Sequence, residues 1–548
     1  MAAIITDHFR RNQARLLVND IKASASGSFS DTESTGTGGV GAYPYRGNNR
    51  YAIGLGKSDP WPSVGSVNEG DANFVVPAPT GIRQEDEDVI NNLFTLKDVG
   101  GTSVKQMIAK NTWTSGRKYK VYDSADPDAF YATGDLYPCY ATHNNSVYIV
   151  LSNTAIENGF TSVIGSTTAP SVSNSYGISA PAQGYVWCEV AKIDTNDNLV
   201  TNQFVPIRKN EELGTSDQPT EAQRKLTAGL LSHVGVVSGG TGYSSNTTIT
   251  ATIVKHNGTV TSPTISFVPI IVGGVIQRVD IRDANNSPTD TGSFEFWTTE
   301  DAAAMVSNAD GSDLAILDRI KSINFHITDP GPGGSGSEGG TGAQLSGTIA
   351  PPTGYAYNAI DILPTWFVGI NVDFEGTEDD GDAPVVKFRQ VSLLKNFVRT
   401  ANSEEADDGS TNTLGALKSI TLSSPNNSNI GGLTQGQVLY QKGSNAKFYF
   451  DHHASGKIFY HQNSDGEVNT IDPIVGTSGT DNAIGTSLNG SQIANGVSAR
   501  NLTPEYQSRV ATGVDDGEFN GEVIFHENRK PFTRDDNQTE EVKLIIQL

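Results

Sequence analysis

Cysteine, methionine and charge are all scarce in this chain of 548 residues, which holds 2 Cys and 3 Met and is only 18% charged. Two thiols, Cys139 and Cys188, supply neither a disulfide framework nor a zinc site, so the chain reads as made in a reducing cytosol. Long apolar runs are missing too. The longest, FVPIIVGGVI at 267–276, is interrupted by two glycines and falls far short of the ~20 residues that a membrane-spanning helix needs. The opening MAAIITDHFRRNQARLL lacks an apolar core followed by a cleavage site and does not read as a signal peptide. Basic charge is outnumbered, with 38 Lys and Arg against 61 Asp and Glu, for a net charge of -23. That balance speaks against nucleic-acid partners bound by phosphate neutralisation and against insertion into, or adhesion to, anionic membranes.

What is present is glycine, 58 residues of it, beside a modest hydrophobic fraction of 36%. This is the composition of a mainly β, loop-rich protein of about two to four domains, not of a helical bundle. One helix is expected at 6–22, where Thr6 can cap and Phe9, Leu16, Leu17 and Ile21 fall mostly on one face, with Arg10, Arg11 and Arg15 on a solvated side. A Ser/Thr/Gly-rich linker at 23–50 follows. A second helix is expected near 87–96.

Strand patterns then dominate: YAIGLG at 51–56, SVYIVLSN at 146–153, YVWCEVAKI at 185–193, TWFVGINVDF at 365–374 and VVKFRQVSLL at 385–394. In YVWCEVAKI, Val186, Cys188 and Val190 alternate against Trp187, Glu189 and Ile193. Residues 229–284 read as a small β unit with a hairpin whose Gly273-Gly274 supplies two positive φ angles. Helical potential at 301–306 and 314–321 precedes a Gly-rich stretch at 331–347 that reads as flexible. The segment 401–515 is poor in large apolar groups, apart from 438–462, which reads as a hairpin with exposed aromatics. The final EEVKLIIQL puts Val542, Leu544, Ile546 and Leu548 on one face, a strand that must pair with a sheet built earlier in the chain. A discontinuous core with insertions follows from that.

Catalytic patterns are thin. There is no GxSxG elbow, no HExxH and no P-loop. His452, His453 and His461 are expected to be surface histidines rather than a metal site. DTNDN at 194–198 fails as a calcium loop because Leu199 stands where Gly is required, and it reads as a hairpin turn. The acidic EGTEDDGD at 375–382 reads as a solvated turn. Cys139 and Cys188 read as packed thiols. No catalytic residue, metal ligand or cofactor is assigned, and the expectation is a protein that is not an enzyme.

Five segments in order carry a family likeness: YAIGLGKSDPWPS (51–63), NTWTSGRKYKVYDSADPDAF (111–130), QGYVWCEVAKI with QFVPIRKNEEL (183–193, 203–213), KFRQVSLLKN (387–396) and GEVIFHENRKPFTRDDNQTEEVKLIIQL (521–548). Together they resemble the baseplate wedge protein, gene product 8, of T-even-type contractile-tailed phages (myoviruses). The likeness covers roughly 1–213, 364–400 and 516–548, and 214–363 and 401–515 look like insertions. It implies a layered β-sandwich core, 51–213 with 364–400 and 516–548, carrying a few short helices and inserted small β domains. It further implies a homodimer, contacts with other baseplate wedge proteins and with the protein that connects to the short tail fibres, and residence in the virion tail after synthesis in the host cytoplasm.

The candidate interface residues are Phe9, Leu16 and Leu17 on a docking helix at 1–22, Trp61 in the GKSDPW turn, and Arg529 and Phe532 in the ENRKPF segment. The competing expectations are a tail adhesin that binds host glycans through the inserted β domains, and a polysaccharide-degrading tail enzyme. The latter should show the repeated strand units of a β-helix, and no such repeat is found.

Overall fold

A computed structural model of the chain describes residues 5–26, 51–57, 60–153, 156–157, 162–163, 165–171, 185–208, 231–256, 258–262, 265–283, 320–331, 339–351, 354–356, 358–374, 387–395, 413–415, 418–422, 433, 437–441, 447–454, 457–461, 474–476, 496–500, 522–533 and 540–548. The fold is mainly β, a sandwich-like set of antiparallel sheets with few helices. Among the described residues no helix is long and apolar enough to cross a membrane. The chain divides into two compact units, the first made of 1–15, 105–368 and 546–548, the second of 16–104 and 369–545.

In the first unit the strand Tyr185–Lys192 pairs with Ser146–Asn153, which pairs with Tyr140–His143. The expected alternation along 185–192 is present, but both of its faces are buried. Val186, Cys188 and Val190 enter one apolar core with Ile149, Tyr355 and Leu363. Tyr185 and Trp187 enter a second with Tyr119 and Val150. Two-sided burial is why this strand reads as an almost continuous apolar run. Cys139 and Cys188 are buried free thiols. Burial pushes both thiols well above the ordinary range, so neither is a ready nucleophile.

DTNDN is a turn, though not a hairpin turn. The strands on either side, Tyr185–Lys192 and Phe204–Pro206, pair with different partners, Ser146–Asn153 and Val104–Ala109. Its acids face cations from the chain itself: Arg208 Nη2 lies 2.6 Å from Asp194 Oδ2 and 3.0 Å from Asp197 Oδ2, and Lys105 also pairs with Asp197.

The 231–349 region builds its own core from Val234, Ile253, Ile276, Val279 and Ile281. The hairpin Ile265–Val272 to Val275–Asp283 turns on Gly273 (φ 61°) and Gly274 (φ 79°), as the sequence leads one to expect. The Gly-rich 331–347 differs from expectation. Its second half belongs to a strand, Thr341–Ile349, that pairs along its length with Leu231–Thr241. Among its described glycines, Gly340 and Gly347 serve close packing. A Cβ on Gly347 would collide with Ile323, and one on Gly340 with the Tyr243 ring. The helices expected at 301–306 and 314–321 fall outside the described residues, except that 320 and 321 open the strand Ile320–Thr328.

The Tyr243 turn is closed by Asp329, which accepts from Ser244 Oγ (2.6 Å), Gly340 N (2.9 Å), Ser244 N (3.0 Å) and Gly331 N (3.1 Å). These donors hold its carboxyl down at about 2, the Ser244 hydroxyl contributing most. A depressed folded-state value stabilises above the unfolded value and is lost as pH falls through the folded one. Thermal melts of the chain should therefore lose this contribution between about pH 3.9 and about pH 2, and Asp329→Asn should melt lower at pH 7 and lack that part of the acid slope.

In the second unit the five-stranded order is Thr413–Gly415, Leu93–Asp98, Tyr51–Gly56, Lys387–Lys395, Glu522–Thr533, antiparallel throughout. Tyr51–Gly56 is buried at every position because it lies inside the sheet. Gly54 and Gly56 leave room there: a Cβ on Gly54 would sit 2.5 Å from Leu93 Cδ2. The helix expected over 87–96 runs instead over Arg83–Asn92, and LFTLKD is the strand that pairs with Tyr51–Gly56, sheet pairing overriding local propensity.

The C-terminal strand Glu540–Gln547 is neighbour to Phe367–Phe374 and buries Val542, Leu544 and Ile546. The 438–462 segment forms three strands of a six-stranded sheet. Tyr449, Phe450 and Tyr460 are buried in it, whereas the sequence suggested exposed aromatics. The acidic 375–382, the linker at 27–50, and the side chains of His452, His453 and His461 lie outside what is described.

Candidate interaction site

Three of the segments that carry the family likeness meet in the second unit. The loop after Tyr51–Gly56 folds over the strands Lys387–Lys395 and Glu522–Thr533, and Trp61 anchors it. The Trp61 indole Nε1 donates to the Arg529 carbonyl oxygen at 3.0 Å, a contact between residues 468 apart in sequence. The Trp61 backbone N–H donates to Glu69 Oε1 at 3.3 Å. The Lys57 ammonium sits 4.7 Å from the centre of the Trp61 ring, a cation–π contact.

Beneath the loop lies a buried ion pair. Arg389 Nη2 donates to Glu69 Oε2 at 2.7 Å, and Arg389 Nε donates to the other carboxylate oxygen. The two side chains are 4% and 11% exposed, so the pair is bidentate and nearly dry. Burial pushes the Glu69 carboxyl up. The Arg389 hydrogen bonds, the Trp61 N–H and the Arg389 charge outweigh it and hold the group below the ordinary carboxylate range.

The far end of the site is aromatic. Phe388 meets Phe532 with ring centres 5.5 Å apart, and the Arg529 guanidinium lies 6.0 Å from the Phe388 ring. Gln390 Nε2 donates to Asn528 Oδ1 (2.9 Å), and Asn528 Nδ2 donates to the Pro77 carbonyl (3.0 Å), fastening the loop from its other side. Glu85 caps the turn before Arg83–Asn92, accepting from Thr80 N, Thr80 Oγ1 and Gly81 N, with His526 Nε2 at 3.4 Å.

The structure therefore joins Trp61, Arg529 and Phe532, but gives them different tasks. Trp61 is 9% exposed and acts inside the unit as a fastener. Phe532 is 38% exposed and can meet a partner; Val64, Val75, Ile82 and Ile524 of the same unit are exposed as well. Glu69 and Arg389 give no sequence signal. They are single charges 320 residues apart, and only the fold pairs them.

The other three candidates lie on the N-terminal helix, Asp7–Ser26, which extends past the expected end at residue 22. Thr6 Oγ1 caps it by accepting from Phe9 N at 3.2 Å. The face that packs is Ala14, Val18 and Ile21, spaced as one helical stripe. Phe9 and Leu16 point outward at 52% and 60% exposure, and Leu17 is half-buried. The expected single apolar face is thus split: Ile21 packs with Ala14 and Val18, whereas Phe9 and Leu16 stay exposed. Nor is the basic side wholly solvated. Arg11 donates to the Asp361 carbonyl, and Arg15 Nη1 lies 3.5 Å from Asp361 Oδ1.

No group of His, Cys, Asp and Glu able to hold a metal occurs among the described residues. Comparison with protein-family models and with curated proteins finds no match.

Proposed function

We propose that this chain is a structural subunit of the baseplate wedge of a contractile phage tail, working through interfaces rather than turnover. The observation that carries the reading is the convergence just described. Segments 51–63, 387–396 and 521–533, which bear the family likeness, are remote in sequence yet form one fastened sheet-and-loop surface. The strand Glu522–Thr533 in it exposes Ile524 and Phe532, apolar side chains suited to a protein contact. The exposed Phe9 and Leu16 offer a second contact of the same kind.

In this reading the chain is a homodimer that links neighbouring wedge proteins and the short-tail-fibre connecting protein. It assembles in the host cytoplasm and resides in the tail. It takes part in baseplate assembly and in the rearrangement that releases sheath contraction. A net charge of -23 keeps free copies apart before assembly.

Cross-linking mass spectrometry on purified tails of the source particle tests it. The expected result is cross-links from 57–82 and 522–533 to wedge proteins and between two copies of the chain. Cross-links confined to fibre tips, or absence of the chain from tails, would overturn the reading.

A further inference from the structure

The first unit contains a cleft that the interface reading does not use. It has a volume of about 400 Å³ and is open to solvent on one side. One wall is formed by the strands Leu231–Thr241 and Val275–Asp283, the other by residues 119–126 with Leu136 and Asn153. The size suits a small molecule; sites for such ligands span roughly 300–1,000 Å³.

The chemistry of the lining is mixed, with two cations, Lys120 and Arg278, among three carboxylates, Asp123, Asp126 and Asp280. Arg278 Nε lies 2.5 Å from Asp280 Oδ1. Lys120 Nζ donates to the Asp128 carbonyl (2.7 Å) and Thr133 Oγ1 (3.0 Å) and lies 3.8 Å from Asp126. Asp123 uses Oδ1 to accept from Ala125 N (2.9 Å) and Thr348 Oγ1 (3.0 Å), while its Oδ2 faces His233 Nε2 at 3.8 Å. The Asp123 carboxylate is seated directly on Gly235, where any Cβ would displace it. Burial lowers the His233 value, and the Arg278 charge lowers it further against the opposing pull of Asp123 and Asp280, so the imidazole is neutral at pH 7. Between the polar groups run Val121, Leu136, Val234 and Val236.

This arrangement selects a ligand class by elimination. A phosphate would be set against three carboxylates, Asp123, Asp126 and Asp280, with only Lys120 and Arg278 to receive it, and both of these already pair with carboxylates. A cationic ligand would have to displace Lys120 and Arg278 from Asp126 and Asp280, and it would find Asp123 already accepting from Ala125 N and Thr348 Oγ1. A purely apolar ligand would strip water from three carboxylates without repayment. A neutral polyhydroxylated ligand meets none of these costs. Each hydroxyl donates to a carboxylate and accepts from Arg278, Gln277 or His233, and the ring C–H faces lie on the valines.

We propose that this cleft is a saccharide-binding site for one or two sugar rings, with Asp123, Asp280, Arg278 and Gln277 taking the hydroxyls. The proposal stands apart from the wedge reading, since a baseplate subunit and a free adhesin could equally carry it.

Saturation-transfer NMR and calorimetry on the full chain test it, with glucose, galactose, mannose, rhamnose, N-acetylglucosamine and their disaccharides as probes and inorganic phosphate as the competitor class. The expected result is that at least one sugar binds with a Kd on the order of 1 mM or tighter. Gln277→Ala, at an exposed position that leaves the fold intact, and Arg278→Ala should each weaken it about tenfold or more. The proposal is overturned if no probe sugar binds at tens of millimolar, if binding is unchanged in both variants, or if phosphate binds in place of every sugar. Tail cross-linking reports on the wedge reading alone, so the two can fail separately.

Discussion

Replacing Arg389 with alanine is expected to destabilise the second unit by about 3–5 kcal/mol, the cost of leaving Glu69 charged and buried without its partner. The size follows from the geometry. Both side chains are almost out of water, the pairing is bidentate, and the Glu69 carboxylate also receives the Trp61 N–H. Loss of the guanidinium therefore reaches the Trp61 fastener and, through it, the Arg529 carbonyl.

Urea unfolding should show the midpoint shift. Hydrogen exchange should show the peptides at 60–77, 387–395 and 522–533 losing protection together. Glu69→Gln alone should cost less, because a neutral amide needs less compensation in the same place. The double replacement Glu69→Gln, Arg389→Met should recover much of the Arg389→Ala loss, since two neutral groups of similar volume replace a stranded charge. If Arg389→Ala unfolds within about 0.5 kcal/mol of the parent, the pair is not acting as a buried ion pair.

The pH dependence has a definite sign. Glu69 sits below its ordinary value in the folded chain, so its contribution is present above about pH 4.3 and disappears as pH falls through the folded value. The parent should steepen in acid relative to Glu69→Gln.

Much of the fold was legible because it is written in local pattern. The alternation of Val542, Leu544 and Ile546 marks the last strand, and Gly273-Gly274 marks the hairpin of Ile265–Val272 with Val275–Asp283; both depend on residues adjacent in sequence. The misreadings share one cause, which is partners far away in sequence. The helix at 83–92 ends early because Leu93–Asp98 is claimed by Tyr51–Gly56. The buried face of the N-terminal helix, Ala14, Val18 and Ile21, is set by what packs on it rather than by the bulk of Phe9 and Leu16. At the candidate site, Trp61, Arg529 and Phe532 could be picked as residue types suited to contacts, but nothing near any of them revealed that Trp61 is consumed in holding Arg529's strand. The cleft at His233 and Arg278 is invisible in the sequence, since its walls come from segments 80 or more residues apart.

The Gly-rich 331–347 segment and the facing Gly240 give the sharpest test of that distinction, because the sequence reads the segment as flexible whereas its strand Thr341–Ile349 is paired closely with Leu231–Thr241. If these glycines supply flexibility, alanine should be tolerated or even stabilising, since it restricts the unfolded chain. If they supply space, alanine must clash. Gly240 has φ 60° and sits where its Cβ would press on the Thr341 carbonyl oxygen, with Ala343 N at 2.6 Å. Left-handed backbone costs a non-glycine residue roughly 1–2 kcal/mol, and overpacking against backbone adds roughly 1–3 kcal/mol. Gly240→Ala should therefore lose about 2–5 kcal/mol and free the pairing of Leu231–Thr241 with Thr341–Ile349, read as faster hydrogen exchange in both strands.

Gly273→Ala is the matched control. It shares the positive φ of 61° but has open space around it, so only the conformational cost of about 1–2 kcal/mol applies. Equal losses at the two positions would mean that backbone conformation alone sets the need for glycine. A clearly larger loss at Gly240 would mean that these strands are held together by the closeness that glycine permits.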